Sequence, residues 1–152
     1  MISRDECIVR NCKPEEVARL IELLKATNLF WEMGDREDVF KEKINHDPDS
    51  VVVLEHQSEI IGMVVTIYDP WASFIWHLAI DPRFQKQGLG HLLAEEAERR
   101  LRSRGTTSVN GYVLPSNNHS LSFLRKRGYS EFFSPVIAVE KSFKEGAANE
   151  KF

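Results

Sequence analysis

The spacing of apolar side chains along the chain predicts four helices. Apolar residues recur three or four positions apart in each segment, so each helix has one apolar face. Proline, aspartate, serine or asparagine stands at the start of three of them, where these residues favour helix initiation. The predicted helices are residues 14–24, 35–45, 89–101 and 120–127.

Short apolar runs bounded by turn residues predict β-strands between and after these helices. Three consecutive runs in the middle of the chain are separated only by turns, so we expect them to form an antiparallel meander. The predicted strands are residues 7–12, 51–55, 60–68, 73–80, 108–114 and 136–141. The small and polar residues at 144–152 predict a flexible C-terminal tail.

The composition indicates one globular domain. The chain has 152 residues, of which 42% are hydrophobic and 28% are charged, which suffices for one buried core. The formal net charge of -3 argues against the broad basic surface that nucleic-acid binding needs. Residues 1–11 lack the apolar stretch of a signal peptide and no run is long enough to span a bilayer, so we expect a cytoplasmic protein with no membrane partner.

Two cysteines, Cys7 and Cys12, lie in the first predicted strand. Their odd separation directs the side chains to opposite faces, so we expect two free thiols, buried or half-buried, and no disulfide. Metal binding needs more His or Cys residues than this segment holds, and no metal site is predicted.

The polar loop from Gln85 to Gly90 joins a predicted strand to a predicted helix. Free backbone amides at the positive end of a helix dipole bind anions, its two glycines let a phosphate approach the main chain, and Lys86 adds positive charge. Ordinary turns also contain glycines. A Walker loop would have Gly-Lys before Ser or Thr, whereas here His91 follows Gly90, and a dinucleotide-binding loop would have Gly or Ala in place of Leu93.

At these residues the chain resembles the GNAT N-acetyltransferases. The stretch from Phe30 and Trp31 through Lys43, together with Tyr68 and Asp69, is similar to small stand-alone bacterial members. The pyrophosphate signature of that family is Gln or Arg, two residues, Gly, one residue, then Gly or Ala, and it is matched by Gln85, Gly88 and Gly90. A second family segment has counterparts at Asn117, Ser120, Phe123, Gly128 and Tyr129. The resemblance covers about residues 8–142.

The resemblance implies the GNAT fold, an α/β (α+β) architecture. In this fold a mixed central sheet of six to seven strands is mostly antiparallel, contains one splayed parallel pair, and is flanked by about four helices. We therefore expect a single domain over residues 1–143, followed by the tail at residues 144–152.

The resemblance also implies acetyl-CoA as the co-substrate and no metal. Main-chain groups of the strand before the loop would bond to the pantetheine arm, and backbone amides of residues 85–91 would bind the pyrophosphate. The implied cofactor-binding residues are Leu78, Ala79, Ile80, Gln85, Lys86, Gln87, Gly88, Leu89, Gly90, His91, Asn117, Ser120, Phe123 and Leu124.

The implied reaction is direct attack of a neutral amine on the thioester carbonyl, with the backbone amide of Ile80 stabilising the oxyanion. An alkylammonium has a pKa of about 10.4, so a base must remove its proton at neutral pH. Relatives carry that base at positions equivalent to Phe74 and Trp76, which cannot accept a proton. His77 and Glu32 are candidate bases, but alternation directs His77 to the opposite face unless a bulge changes the register, and Glu32 is equally a solvated charge.

The family's frequent Tyr, which protonates the leaving thiolate, is replaced by Leu124, and Tyr112 is a candidate substitute that is equally a packing residue. We therefore expect N-acetylation of a small-molecule, peptide or protein amine, with a catalytically weak CoA sensor or interaction module as the alternative. We expect substrate choice to depend on residues 28–42, 69–73 and 130–135. Five aromatic residues in these segments could line the acceptor site, form a homodimer contact or pack in the core. They are Phe30, Trp31, Trp71, Phe132 and Phe133.

Overall fold

The computed structural model describes residues 1–132 and 134–143, which belong to two compact units, Met1–Tyr112 and the residues from Val113 onward. Phe133 and the predicted tail at residues 144–152 lie outside the described residues, and the single domain over residues 1–143 stays a prediction. In chain order the elements are β1 (Cys7–Asn11), α1 (Val17–Ala26), α2 (Glu37–His46), β2 (Val51–His56), β3 (Glu59–Ile67), β4 (Ser73–Ile80), α3 (Leu89–Ser103), β5 (Val109–Asn110) and α4 (Asn118–Lys126).

The first unit is built on a mixed sheet in which the five strands follow one another in chain order. The first four strands are antiparallel neighbours, as the meander of apolar runs predicts, and β5 runs parallel to β4. Four α-helices agree with the expectation, but the prediction of six to seven strands is wrong, because the described residues form five.

Two predicted strands account for this difference. In place of residues 108–114, β5 contains only Val109–Asn110, which pair with Ser73 and Phe74. Residues 136–141 form no strand, and Ile137 and Val139 are 89% and 90% exposed. Apolar alternation favours extended backbone, but a strand also requires a hydrogen-bonded neighbour. The described residues of the second unit contain no strand with which residues 136–141 could pair.

Both faces of the sheet are covered within the first unit. Alternate residues of β2 and β3, among them Val53 and Met63, pack with α1 and α2 on one face. The intervening residues, among them Val52 and Val64, pack with Leu93 and the apolar side of α3 on the other. Side chains of a strand alternate between the two faces of a sheet. Since helices cover both faces here, β2 and β3 are apolar along nearly their whole length.

The fourth strand contains a β-bulge at Trp76. Ile75 pairs with Thr66 and His77 pairs with the adjacent Val65, which leaves Trp76 as an extra residue. Because of the bulge, His77 and Phe74 lie on the same face of the sheet, the one covered by α1 and α2. Strict alternation, which places His77 opposite Phe74, therefore gives the wrong face.

The second unit contains one helix among its described residues. Asn117 caps α4, because its Oδ1 accepts a hydrogen bond from the backbone N–H of Ser120 at 3.1 Å. The chain leaves this helix at Gly128, which has a positive φ. None of the helices in the described ranges is long and apolar enough to cross a membrane.

Candidate active site

The predicted anion loop ends at the amino terminus of α3. Gly88 is the N-cap residue, with a φ of 77°, and the 15-residue helix begins at Leu89. The first amides of a helix have no intrahelical acceptor, so this terminus directs N–H groups and a partial positive charge into the loop. Lys86, also at positive φ, is exposed within the same loop. The backbone is therefore arranged to receive an anion.

Side chains of the loop anchor it to the sheet and to the N-terminal segment. Gln85, the first residue of the signature, donates from Nε2 to the carbonyl of Ile80 at 2.9 Å. Gln87 accepts from the backbone N–H of Ile2 at 2.7 Å. The two glutamines therefore anchor the loop, Gln85 to the end of β4 and Gln87 to the N-terminal segment.

Asp81 stabilises the turn that leads into the loop. Its buried carboxylate accepts hydrogen bonds from the backbone N–H of Arg83 at 3.0 Å and from Arg19 Nη2 at 2.7 Å. The side-chain bonds from Arg83, followed by those from its backbone and from Arg19, hold the pKa of Asp81 well below its usual value. This ion cluster joins α1 to the segment between β4 and α3.

One edge of β4 lies open beyond its short contact with β5. The N–H of Asp81 donates to the carbonyl of Ile61 on β3 at 2.8 Å. Because successive N–H groups of a strand point to opposite edges, the N–H of Ile80 points away from β3. Pairing with β5 ends at Phe74, so within residues 1–112 the edge at Leu78 and Ile80 has no strand partner. Within residues 1–112, the main-chain N–H and C=O groups of Leu78 and Ile80 therefore make no hydrogen bond to a neighbouring strand.

His77 and Asp35 form a buried pair on the α1 and α2 side of the sheet. The imidazole Nε2 lies 3.0 Å from both carboxylate oxygens of Asp35, and the side chains are 7% and 5% exposed. The carboxylate also accepts from the backbone N–H of Trp31 at 2.7 Å. Two separate segments of the chain, the turn before α2 and the bulged strand, thus meet at one hydrogen-bonded site.

The geometry of this pair leaves the second ring nitrogen available. A carboxylate can only accept, so Nε2 of His77 donates to Asp35, and in the neutral imidazole Nδ1 is then the nitrogen with the lone pair. Nδ1 makes no hydrogen bond to a described residue, yet every fully buried side-chain nitrogen and oxygen in the described ranges has a partner. Nδ1 of His77 is therefore not a fully buried atom, although the whole side chain is only 7% exposed.

The remaining predicted catalytic residues lie at the surface. Glu32 is exposed, and Tyr112 is 58% exposed with its ring 5.7 Å from the rings of both Phe74 and Trp76. Their catalytic roles stay predictions. Trp71 is 94% exposed, whereas Phe30 packs against the apolar layer beneath α1, which fits a core role.

The cofactor-binding prediction divides between the two units. In the first, Leu78 is half-buried and Ala79 and Ile80 are buried at the end of β4, while Leu89 is buried under the loop. In the second, the residues implied in binding lie on α4 or cap it: Asn117, Ser120, Phe123 and Leu124. No group of three metal-ligating side chains occurs within residues 1–132 and 134–143.

Comparison with known proteins identifies the family. The model of the acetyltransferase (GNAT) family matches residues 17–129. The chain belongs to the GNAT family. Among curated relatives, an acetyltransferase of Sodalis glossinidius is 26% identical over 133 residues, covering 88% of this chain and 93% of the relative. An acetyltransferase of Pectobacterium atrosepticum is 27% identical over 121 residues, covering 80% and 86%.

Solved GNAT structures share the fold of this family member. Ard1 from Thermoplasma volcanium matches with a TM-score of 0.74 at 19% identity, covering 82% of this chain and 83% of that chain. PaiA N-acetyltransferase from Thermoplasma acidophilum, solved in complex with coenzyme A, matches with a TM-score of 0.70 at 20% identity, covering 85% and 92%. At these identities the likeness establishes the fold alone.

Sequence reasoning missed the partnership of Asp35 with His77. Asp35 is the first residue of a predicted helix, so a capping role explains it adequately from sequence, and its partner lies 42 residues away. The one available signal was a histidine inside an otherwise apolar strand, because a buried imidazole requires a hydrogen-bonding partner.

Proposed function

We propose that this protein is an acetyl-CoA-dependent N-acetyltransferase that moves an acetyl group directly to a primary amine. Membership of the GNAT family and curated relatives named acetyltransferases support acyl transfer in general. The observation that carries the proposal to amine chemistry is the buried His77–Asp35 pair, because it offers a candidate base although Phe74 and Trp76 stand at the positions where relatives carry one. A histidine held by a carboxylate is the arrangement that general-base catalysis uses.

Acetyl-CoA would bind along the open edge of β4 and at the start of α3. The amides around Gly88 and the positive charge of Lys86 suit the pyrophosphate. The main-chain groups of Leu78 and the N–H of Ile80, which lie outside the sheet ladder, suit the amides of the pantetheine arm. The structural neighbour solved with coenzyme A supports this choice of ligand. Asn117, which the family resemblance assigns to the same cofactor, stays a prediction.

The chemical step needs a neutral amine near the thioester. Nδ1 of His77 would take a proton from the bound ammonium, and the neutral amine nitrogen would then bond to the carbonyl carbon while Asp35 stabilises the imidazolium that has formed. The N–H of Ile80 points away from β3 and would donate to the developing oxyanion. As the C–S bond then breaks, the nitrogen loses its second proton to solvent and becomes the amide nitrogen. The CoA thiolate takes a proton from solvent, or from Tyr112, which solvent reprotonates.

The test compares substitutions at His77 with a second histidine of the same unit. His77→Gln is expected to lower kcat/KM by about 10²- to 10⁴-fold with acetyl-CoA affinity unchanged, because only the proton acceptor is lost. Asp35→Asn should reduce kcat and change the pH profile, since the amide no longer stabilises the imidazolium. His56→Gln is the control, because His56 bonds to the Glu6 carbonyl at the far end of β2.

Activity is measured as thiol release from acetyl-CoA across a panel of primary amines, with acetyl-CoA affinity measured by calorimetry. Wild-type activity in His77→Gln would refute its role as the base. One-to-one acetyl-CoA binding without turnover of any amine would instead support a CoA sensor or interaction module.

A further inference from the structure

Four aromatic rings form a continuous chain beside His77. Trp31 lies 6.0 Å from Trp76, Trp76 lies 5.7 Å from Tyr112, and Tyr112 lies 5.7 Å from Phe74, all measured between ring centroids. Trp76 also lies 6.4 Å from the imidazole of His77. The β-bulge at Trp76 makes this arrangement possible, because it brings the tryptophan and the histidine next to each other on one strand.

The rings remain partly accessible although they contact one another. Trp76 is 38% exposed, Tyr112 is 58% exposed, and Trp31 is half-buried. The main-chain N–H of Trp31 donates to Asp35, and its six-membered ring lies against Gly34, where an added Cβ would overlap it. The carboxylate that bonds to His77 therefore also bonds to the main chain of Trp31, while the contact with Gly34 places its ring.

The chain's own cations do not use these ring faces. Within the described ranges, no Lys or Arg makes a cation–π contact with any of these four rings. The cation–π contacts are made with other rings: Phe30, Phe84, Tyr68 and Phe143. Glu32, which follows Trp31 in the sequence, is exposed and forms no ion pair with a described residue. Partly exposed aromatic rings favour a cation over a neutral apolar group of the same shape.

We infer that the acceptor is an amine bearing a second cationic group, which the rings of Trp31, Trp76 and Tyr112 hold while the reacting amine approaches His77. This inference rests on the proposed function, because it names the substrate class for the same site. When the rings hold the second cation, the reacting nitrogen is the end of the molecule that reaches His77, where its proton is removed.

The test uses two amines that differ only in distal charge. One is a pentylamine that ends in a trimethylammonium group, and the other ends in a tert-butyl group of the same shape. With CoA present, calorimetry should show the trimethylammonium compound binding about three- to thirtyfold more tightly. Trp31→Leu and Trp76→Leu should each reduce this ratio toward one. Trp71→Leu is the matched control, because Trp71 is 94% exposed and belongs to none of these ring contacts.

Each outcome bears on this inference separately from the proposed function. Equal binding of the two amines, no binding of the trimethylammonium compound, or a ratio that both Trp→Leu variants leave intact would overturn the acceptor class. Charge-dependent binding that the two variants abolish would support it even if neither amine is acetylated, and that absence of turnover would count against the acetyltransferase reaction alone.

Discussion

Alanine at Gly88 separates an effect on folding from an effect on cofactor binding. Gly88 has a φ of 77°, and a Cβ added there would meet no described atom within 4 Å beyond its immediate chain neighbours. The energetic penalty of Gly88→Ala therefore comes from backbone conformation, and left-handed backbone costs an L-residue about 1–2 kcal/mol. A chain of this length loses about 2–4 °C in Tm per kcal/mol, so we expect a decrease of about 2–8 °C.

Gly105 provides the matched control. It has a φ of 95°, an added Cβ there is equally free of contacts, and it follows the other end of α3. Gly105→Ala should therefore lower Tm by a similar amount. Only Gly88→Ala should weaken CoA binding, because its added methyl group would occupy the space through which a phosphate approaches the loop amides, and a loss of about 1–2 kcal/mol corresponds to about 5- to 30-fold.

Thermal unfolding followed by circular dichroism and calorimetric titration with CoA measure the two effects. A lowered Tm with unchanged CoA affinity in Gly88→Ala would refute the assignment of this loop to the pyrophosphate. Equal losses of CoA affinity in both variants would show that the effect is global, and would refute the local reasoning as well.

Two further predictions concern ionisation. Hydrogen bonds from Arg83 depress the pKa of Asp81, so its stabilisation is full above the unfolded pKa of about 3.9 and is lost as the pH falls through the folded value. Asp81→Asn should lower the urea-unfolding free energy by about 1.5–3 kcal/mol at pH 7 and by less at pH 3, and an equal difference at both would contradict this linkage. Burial raises the pKa of Cys12 to about 12, so its thiol should resist a disulfide reagent at pH 8 until urea unfolds the protein, whereas native reactivity like that of a free thiol would contradict its burial.

Much of the first unit could be predicted from sequence. The strand over residues 73–80 agrees with β4 at both ends, and the helix predicted from Leu89 begins where α3 begins. These elements are long and strongly periodic, and the sheet contacts apolar layers on both sides, so pattern and packing favour the same structure. Cys7 and Cys12 are free thiols, as their odd spacing predicts.

The predictions failed where structure depends on partners distant in sequence. The bulge at Trp76 has no local signature, yet it decides the face of His77. The pair of His77 with Asp35 joins segments 42 residues apart, which periodicity cannot reveal. Residues 136–141 have the apolar character of a strand, but without a hydrogen-bonded neighbour that character does not produce one.

Acetyl transfer to nitrogen is tested most directly by following the labelled carbonyl of [1-¹³C]acetyl-CoA in the presence of primary amines by NMR. We predict that the wild-type protein converts the thioester carbon into an amide carbon with equimolar release of CoA thiol, and that His77→Gln slows both equally. Saturable acetyl-CoA binding with no amide signal above the uncatalysed rate for any amine would contradict the enzymatic function.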